Sequence, residues 1–387
     1  MRNFSRYRPA VAAFVLMTAM AITTTALSFF VEPVCEDLGF GRGSFTVYYS
    51  ILTAAGTLAS PFLGQAAQRR GVRRLVTVGA FWTAAGLLAF SFCSPLWSFY
   101  LAGAFTGIFG TACVSLCASV IVQTSYRDAE ASRLTGIVMA GSGLGGMVVS
   151  FSLPGLIGAF GWRTGYRLTA LAWLVLVLFA ALLLRGTEAV REAGESKGAE
   201  PGMTRAQALR SPKLYLMICL IFLLSAASGV QQQLPAVLSD AGLHTAMVST
   251  SMTVFTAALA LGKIGQGLLY GKAGPVTGGF LMILCYIAGF LLLGRGLIWP
   301  GLLMLAAGMG TVTTLMPVLA RTVFGGREYA SIWSILSAVS NLGAMTAAPL
   351  FGTAFDSTGS YAGAMTAAAV LLIPALGALM AVFCKDR

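Results

Sequence analysis

The chain has 387 residues, 57% of them hydrophobic and only 10% charged, with a formal net charge of +12. Soluble domains carry about 25% charged residues, so this composition excludes an ordinary soluble enzyme and indicates a polytopic membrane protein. A basic excess also arises when Lys and Arg collect in cytoplasmic loops, so no nucleic-acid partner is expected from the charge.

A membrane-spanning helix needs roughly 20 mostly apolar residues, and twelve such runs are expected. They fall at 10–31, 44–66, 75–93, 97–122, 134–159, 164–184, 213–238, 246–269, 276–294, 299–320, 330–353 and 361–383. An even count puts both termini on one side. Taking that side as cytoplasmic assigns it every Lys and Arg except Arg42, Arg163, Arg167, Arg295 and the intramembrane Lys263. That asymmetry follows the positive-inside rule. The lipid bilayer is therefore the first partner, and an integral membrane protein with cytoplasmic termini is expected, in the bacterial cytoplasmic membrane if the family resemblance given below holds.

In span one, the basic start and apolar run resemble a signal peptide. The run is too long for one, lacks a small-x-small cleavage site and is followed by eleven more spans, so it is taken as a transmembrane helix. Thr23 to Thr25 are expected to bond carbonyls of their own helix. Glu32, near its external end, is the only carboxylate close to a span interior and reads as a solvated helix-end group. In span two, Tyr48 and Tyr49 either anchor the interface or line a cavity.

In span four, Gly103, Gly107 and Gly110 allow close helix approach. Cys113 and Cys117 share a face as small packers. Without a C-x-x-C pair, neither a metal site nor a disulfide framework is indicated. Gly141 to Gly146 in span five satisfy G-x-G-x-x-G, but a dinucleotide site needs a strand before it and a soluble helix after it. The flanks here are membrane helix, so the small face is expected to pack against a neighbour, with Ser142 as a polar lining residue.

The polar stretch RGTEAVREAGESKGAEPGMTRAQALRSPK marks a cytoplasmic linker. It divides the chain into a six-helix bundle at 1–184, a linker at 185–212 and a second bundle at 213–387, with a short amphipathic helix near Met203 to Leu209. In span seven, Gln231, Gln232 and Gln233 cannot all point one way, because neighbours on a helix are rotated by about 100°; Gln231 or Gln232 is expected to line a cavity. His244, beside Asp240, reads as a solvated loop residue. Asn341 is the polar residue of interest in span eleven.

The halves carry a shared signal. GQAAQRRGVRR follows span two and GLLYGKAG follows span eight, so Gly64 and Gly267 each lead by five residues to a base, Arg69 or Lys272, and by seven to Gly71 or Gly274. A duplicated six-helix unit accounts for both.

The first of these loops resembles the signature G-x-x-x-D-R-x-G-R-R of the major facilitator superfamily, with Gly64, Arg69, Gly71, Arg73 and Arg74 in place and Gln68 where Asp is usual. The resemblance implies an all-α membrane fold of twelve transmembrane helices in two six-helix bundles, transport by alternating access, and no enzyme activity or cofactor. It also implies that the loop residues govern conformation, and Gln68→Asp is expected to strengthen any charge pairing there. FFVEPVCEDLGFGRGSF, YRDAEASRLTGIVMAGSGLGG and GWRTGYR are similar to segments of the bacterial monocarboxylate and oxalate:formate carriers. The Gly-Pro pair in span five and the Arg in span four usual in drug:proton antiporters are absent.

Those carriers have a basic residue in span eight within R-P-x-x-G, and Lys263-Ile264-Gly265-Gln266-Gly267 occupies that place. Lys263 stands nine residues before Lys272, about 13 Å along a helix. A lysine near a helix end can snorkel to the interface. Its small-residue neighbours Gly262, Gly265 and Gly267 instead suit an inward-facing position. A carboxylate entering a dry cavity loses hydration that an ammonium replaces, and the anion in turn relieves the buried charge. The expected function is therefore secondary transport of a small organic anion, most simply a monocarboxylate, by a monomer. Lys263 is the principal site and either protons or a counter-anion the coupled species. Efflux of an amphiphilic organic compound or drug is the alternative, favoured if Lys263 faces lipid.

Overall fold

The computed structural model describes residues 2–185, 201–231, 234, 237–238, 241–358 and 361–384. Among these the chain is almost wholly helical. Backbone groups inside a bilayer have no water to bond, so a spanning segment of this composition must satisfy them within a helix.

In chain order the helices are α1 (Arg2–Ser28), α2 (Val31–Leu38), α3 (Arg42–Arg70), α4 (Val72–Phe90), α5 (Leu96–Phe109), α6 (Thr111–Ser125) and α7 (Asp128–Leu183). The second half of the chain supplies α8 (Arg205–Arg210), α9 (Pro212–Ser228), α10 (Thr245–Ala273), α11 (Pro275–Gly294), α12 (Ile298–Met309), α13 (Thr311–Phe324), α14 (Tyr329–Thr358) and α15 (Tyr361–Cys384). Eight helical stretches among the described residues are long and apolar enough to cross a membrane. One of them, Ala129–Leu183, is 55 residues long. It bends at Gly161, where φ is 78° and ψ is 161°, so the fifth and sixth expected spans share this stretch.

Among the described residues four expected spans are not single helices, the seventh because α9 ends at Ser228. The first stops at Ser28, and Glu32 falls on the separate helix α2. The fourth is interrupted at Gly110 and the tenth at Gly310.

The chain forms two compact units. Unit 1 comprises Met1–Ser125, Gly141–Glu200 and Arg327–Ala338; unit 2 comprises Tyr126–Ala140, Pro201–Gly326 and Val339–Arg387.

Within unit 1 the small residues do what their spacing suggests. A Cβ on Gly103 would stand 2.7 Å from the Tyr48 carbonyl oxygen, and one on Gly107 would run into the Leu52 backbone, so α5 lies directly on α3. Gly141 and Gly145 likewise press on the α1 backbone at Phe14 and Thr18. Thr23 and Thr24 of α1 both donate to the Met20 carbonyl at 3.1 Å. Cys113 and Cys117 are buried with their sulfurs 4.0 Å apart. At one end of the unit Phe30, Phe90 and Tyr166 stack, with Phe30 and Tyr166 ring centroids 3.8 Å apart. Beside them Asp37 Oδ2 accepts from Trp162 Nε1 at 2.9 Å and from Arg163 Nη1 at 3.1 Å, tying α2 to α7.

In unit 2 the end of the linker is held in place. Gly202 pairs with Gly325, and the Met203 N–H donates to the Phe324 carbonyl at 2.8 Å. The short helix expected near Met203 to Leu209 is α8. It starts with a capping box in which Thr204 and Gln207 satisfy each other's backbone N–H groups.

The internal repeat extends to backbone conformation. Gly71 ends α3 with φ 83° and ψ 145°, and Gly274 ends α10 with φ 81° and ψ 157°. L-residues rarely adopt this region, so glycine at both places is a requirement of the turn.

Candidate functional site

The repeat fixes where to look. In unit 1, α3 brings Ser60 and Gly64 against Arg327–Ala338: Ser60 Oγ donates to the Ser334 carbonyl at 3.2 Å, and Gly64 leaves room only for Ser334. In unit 2, α10 does the same with the first turns of α7. A Cβ on Gly267 would stand 2.7 Å from the Ser132 carbonyl oxygen and 3.0 Å from the Gly136 Cα, and one on Gly271 would stand 3.0 Å from the Ala129 carbonyl. Two glycines thus face each other across the helices, and Lys263 sits one turn from this contact.

Lys263 is half-buried on α10, and its Nζ donates to the Met139 carbonyl at 3.5 Å. Its aliphatic stem lies against Gly310, since a Cβ there would stand 3.1 Å from Lys263 Cγ. The small residues flanking the lysine let two backbones approach it and turn its stem toward protein.

Next to it lies a buried polar group of residues that sequence reasoning missed. Gln266, 1% exposed, donates through Nε2 to the Ala307 carbonyl and to Thr311 Oγ1 at 3.4 Å. Thr314 Oγ1 donates to Gln266 Oε1 or, at 2.9 Å, to the Gly310 carbonyl. Because α12 stops at Met309, Ala307 is one of its last four carbonyls, which lack partners within the helix. The glutamine amide supplies one. The only hint in the sequence was a Gln inside an apolar run; its partners lie more than 40 residues away on another span.

The other expected site residues are placed separately. Tyr48 is 1% exposed, donates its hydroxyl to the Leu27 carbonyl at 3.1 Å and packs against Phe45 and Phe90. A hydroxyl so engaged serves the packing of unit 1. Tyr49 on α3, Ser142 on α7, Gln231 three residues beyond the end of α9, and Asn341 on α14 are each half-buried. Gln232 lies outside the described residues, as does Asp240. His244 is exposed at the start of α10.

At the repeat loops Arg69, Arg74 and Lys272 are exposed and Arg73 half-buried. Gln68 Nε2 donates to the Arg327 carbonyl at 3.0 Å, just ahead of α14. Any charge pairing gained by Gln68→Asp would come at the loss of this bond: an ionised carboxylate is acceptor-only and cannot replace an amide donor facing a carbonyl. Gln68→Asp is expected to cost about 0.5–1.5 kcal/mol of stability, measurable as a lower Tm of the purified protein. A raised Tm would show that attraction to the helix N-terminus outweighs the lost bond.

The protein is a helical membrane protein with an internal repeat, and comparison with known proteins supplies its family. The pattern of the Major Facilitator Superfamily matches residues 10–348, so the chain belongs to that family of transporters. Among curated proteins it is 26% identical over 345 residues to monocarboxylate transporter 13 of Bos taurus, covering 86% of this chain and 78% of that one. It is 21% identical over 242 residues to the sialic acid transporter NanX of Escherichia coli (strain K12), covering 62% of this chain and 58% of that one. Among solved structures it matches the superfamily transporter FucP in the outward conformation with a TM-score of 0.78 at 13% identity, covering 98% of this chain and 99% of that one. The last likeness concerns the fold alone. The protein is a membrane transporter and not an enzyme.

Proposed function

We propose that the protein carries a small organic monoanion, most simply a monocarboxylate, with Lys263 as its charge partner. The observation that carries this reading is the lysine itself: an ammonium well inside an apolar helix, on a small-residue face, with a backbone carbonyl as hydrogen-bond partner. A carboxylate arriving beside this ammonium would offset part of the cost of holding its charge inside an apolar helix. Because lysine presents a compact point charge and lacks the planar fork of arginine, it suits a single carboxylate without demanding one geometry. The names of the relatives favour the same chemistry, since monocarboxylate and sialic acid transporters both handle acids.

Half-buried Gln231 and Asn341, in the same unit as Lys263, are the further polar candidates in this reading. Arg69, Arg73 and Arg74, with Gln68, bias the conformational equilibrium from the cytoplasmic side. Glu32 lies on α2, outside the long helices, and is read as a solvated helix-end group, which disfavours proton symport through that carboxylate. Exchange of one anion for another is therefore the favoured coupling.

Uptake of labelled short carboxylates into proteoliposomes, with and without a pH gradient, tests this. Exchange predicts that unlabelled anion inside the vesicles accelerates entry of labelled anion, while a pH gradient alone drives little accumulation. Strong gradient-driven uptake into anion-free vesicles would refute obligatory exchange. If no carboxylate enters under any condition but an amphiphilic compound leaves, the anion reading itself fails.

A further inference from the structure

We propose that Gln266 is a positioning residue for Lys263: its side-chain amide clamps α10 to the interruption between α12 and α13 and thereby fixes where the ammonium stands. The inference deepens the anion reading and rests on it for its functional consequence.

The two repeats supply the comparison. Gly64 corresponds to Gly267 and the interruption at Gly110 to that at Gly310, so Leu63 corresponds to Gln266 and Val114 to Thr314. Leu63 and Val114 are 5% and 4% exposed, and Gln266 and Thr314 are 1% and 0% exposed. The same two buried positions are therefore apolar in unit 1 and polar in unit 2. At these two positions unit 1 packs with apolar side chains. Burying an amide and a hydroxyl in unit 2 costs free energy unless every atom finds a partner. Every polar atom of Gln266 does, through Ala307, Thr311 and Thr314.

The position that accompanies this polar pair is Lys263, which stands where unit 1 has Ser60. Lys263 and Gln266 are three residues apart and share a helix face. Both rest on Gly310: a Cβ there would stand 2.8 Å from Gln266 Oε1 and 3.1 Å from Lys263 Cγ. A lysine stem is long and freely rotating, and a helix held by apolar contacts alone can rotate or slide slightly. Directional hydrogen bonds at Gln266 restrict both movements, so the ammonium is held near the Met139 carbonyl. With its own atoms occupied, Gln266 has no need to touch the transported solute.

The test uses the full-length protein with Gln266→Leu and Thr314→Val, which install the apolar type found in unit 1. Purified protein without added solute is treated with methyl acetimidate, and amidination of Lys263 is measured by mass spectrometry relative to exposed Lys272. Both variants should change the Lys263:Lys272 ratio. The double variant should do little more than either alone, since one interaction is being removed. In proteoliposomes the apparent KM for the best carboxylate of the panel should rise about tenfold with the maximal rate largely kept, as expected for about one hydrogen bond's worth of lost preorganisation. Should Gln266→Leu fold poorly, the nearly isosteric Thr314→Val stands in its place. An unchanged amidination ratio and KM in a folded variant would overturn the proposal. A changed ratio, in a protein whose Lys263→Ala variant transports at the wild-type rate, would uphold the clamp and remove the anion reading instead.

Discussion

Lys263→Ala is expected to abolish anion-dependent stabilisation and transport while leaving expression close to wild type. A charged residue at the centre of a membrane helix costs about 2.5–3.5 kcal/mol on insertion scales, so removing it should not harm assembly. The stem rests on Gly310 and the ammonium on the Met139 carbonyl, so alanine removes a charge and a short stretch of packing and leaves the helix contacts at Gly267 and Gly271 intact. Lys263→Arg should keep partial activity, since the charge survives but the guanidinium is larger and planar. Thermal melts across a carboxylate series, together with initial uptake rates, measure both effects. Wild-type rates in the alanine variant would sink the assignment of Lys263.

Gly267→Leu and Gly136→Leu should be the most damaging changes to the structure of unit 2. A Cβ at either position already meets backbone: the Ser132 carbonyl and Gly136 Cα in one case, and the Lys263 carbonyl and Gly267 Cα in the other. Backbone cannot swing aside as a side chain can. Overpacking of this kind costs about 1–3 kcal/mol and sometimes more. In a membrane, where helix association depends on close packing, separating α7 from α10 removes much of what holds them together. The Lys263 to Met139 hydrogen bond would be lost in the same movement. Gly265→Leu provides the control, because a Cβ there meets nothing within 4 Å. The expected result is a clear drop in Tm and loss of transport for the first two variants and near-wild-type behaviour for the third. Equal melting of Gly267→Leu and Gly265→Leu would contradict the close contact.

Features that depend on local pattern were legible in the sequence. Apolar runs became helices, and the glycines of spans four and five lie where helices touch. The capped helix near Met203 also follows, since Thr204 and Gln207 stand three residues apart before it. Features that depend on distant partners were not legible. Gly110 and Gly310 look like any small packing residue until the helix stops there. Tyr48 reads as an interface or lining group, yet its fate was decided by Leu27, Phe45 and Phe90. Gln68 was judged by the aspartate it replaces, whereas its partner is a carbonyl more than 250 residues away, which adds a cost to the substitution that the motif does not show. Gln266 sat inside the very motif that drew attention to Lys263, but nothing local shows that the hydroxyls satisfying it come from α13.

The membership of Tyr126–Ala140 in unit 2 has a consequence for biosynthesis. The glycine that faces Gly267 is made 131 residues earlier, at position 136. At about 5–20 residues per second, the ribosome needs about 7–26 s to supply the partner. Throughout that interval the small-residue face of α7 enters the bilayer without the helix it is shaped to meet. The first half of the chain therefore cannot complete its assembly as it is made, and final packing of this segment must wait for α10 to be inserted.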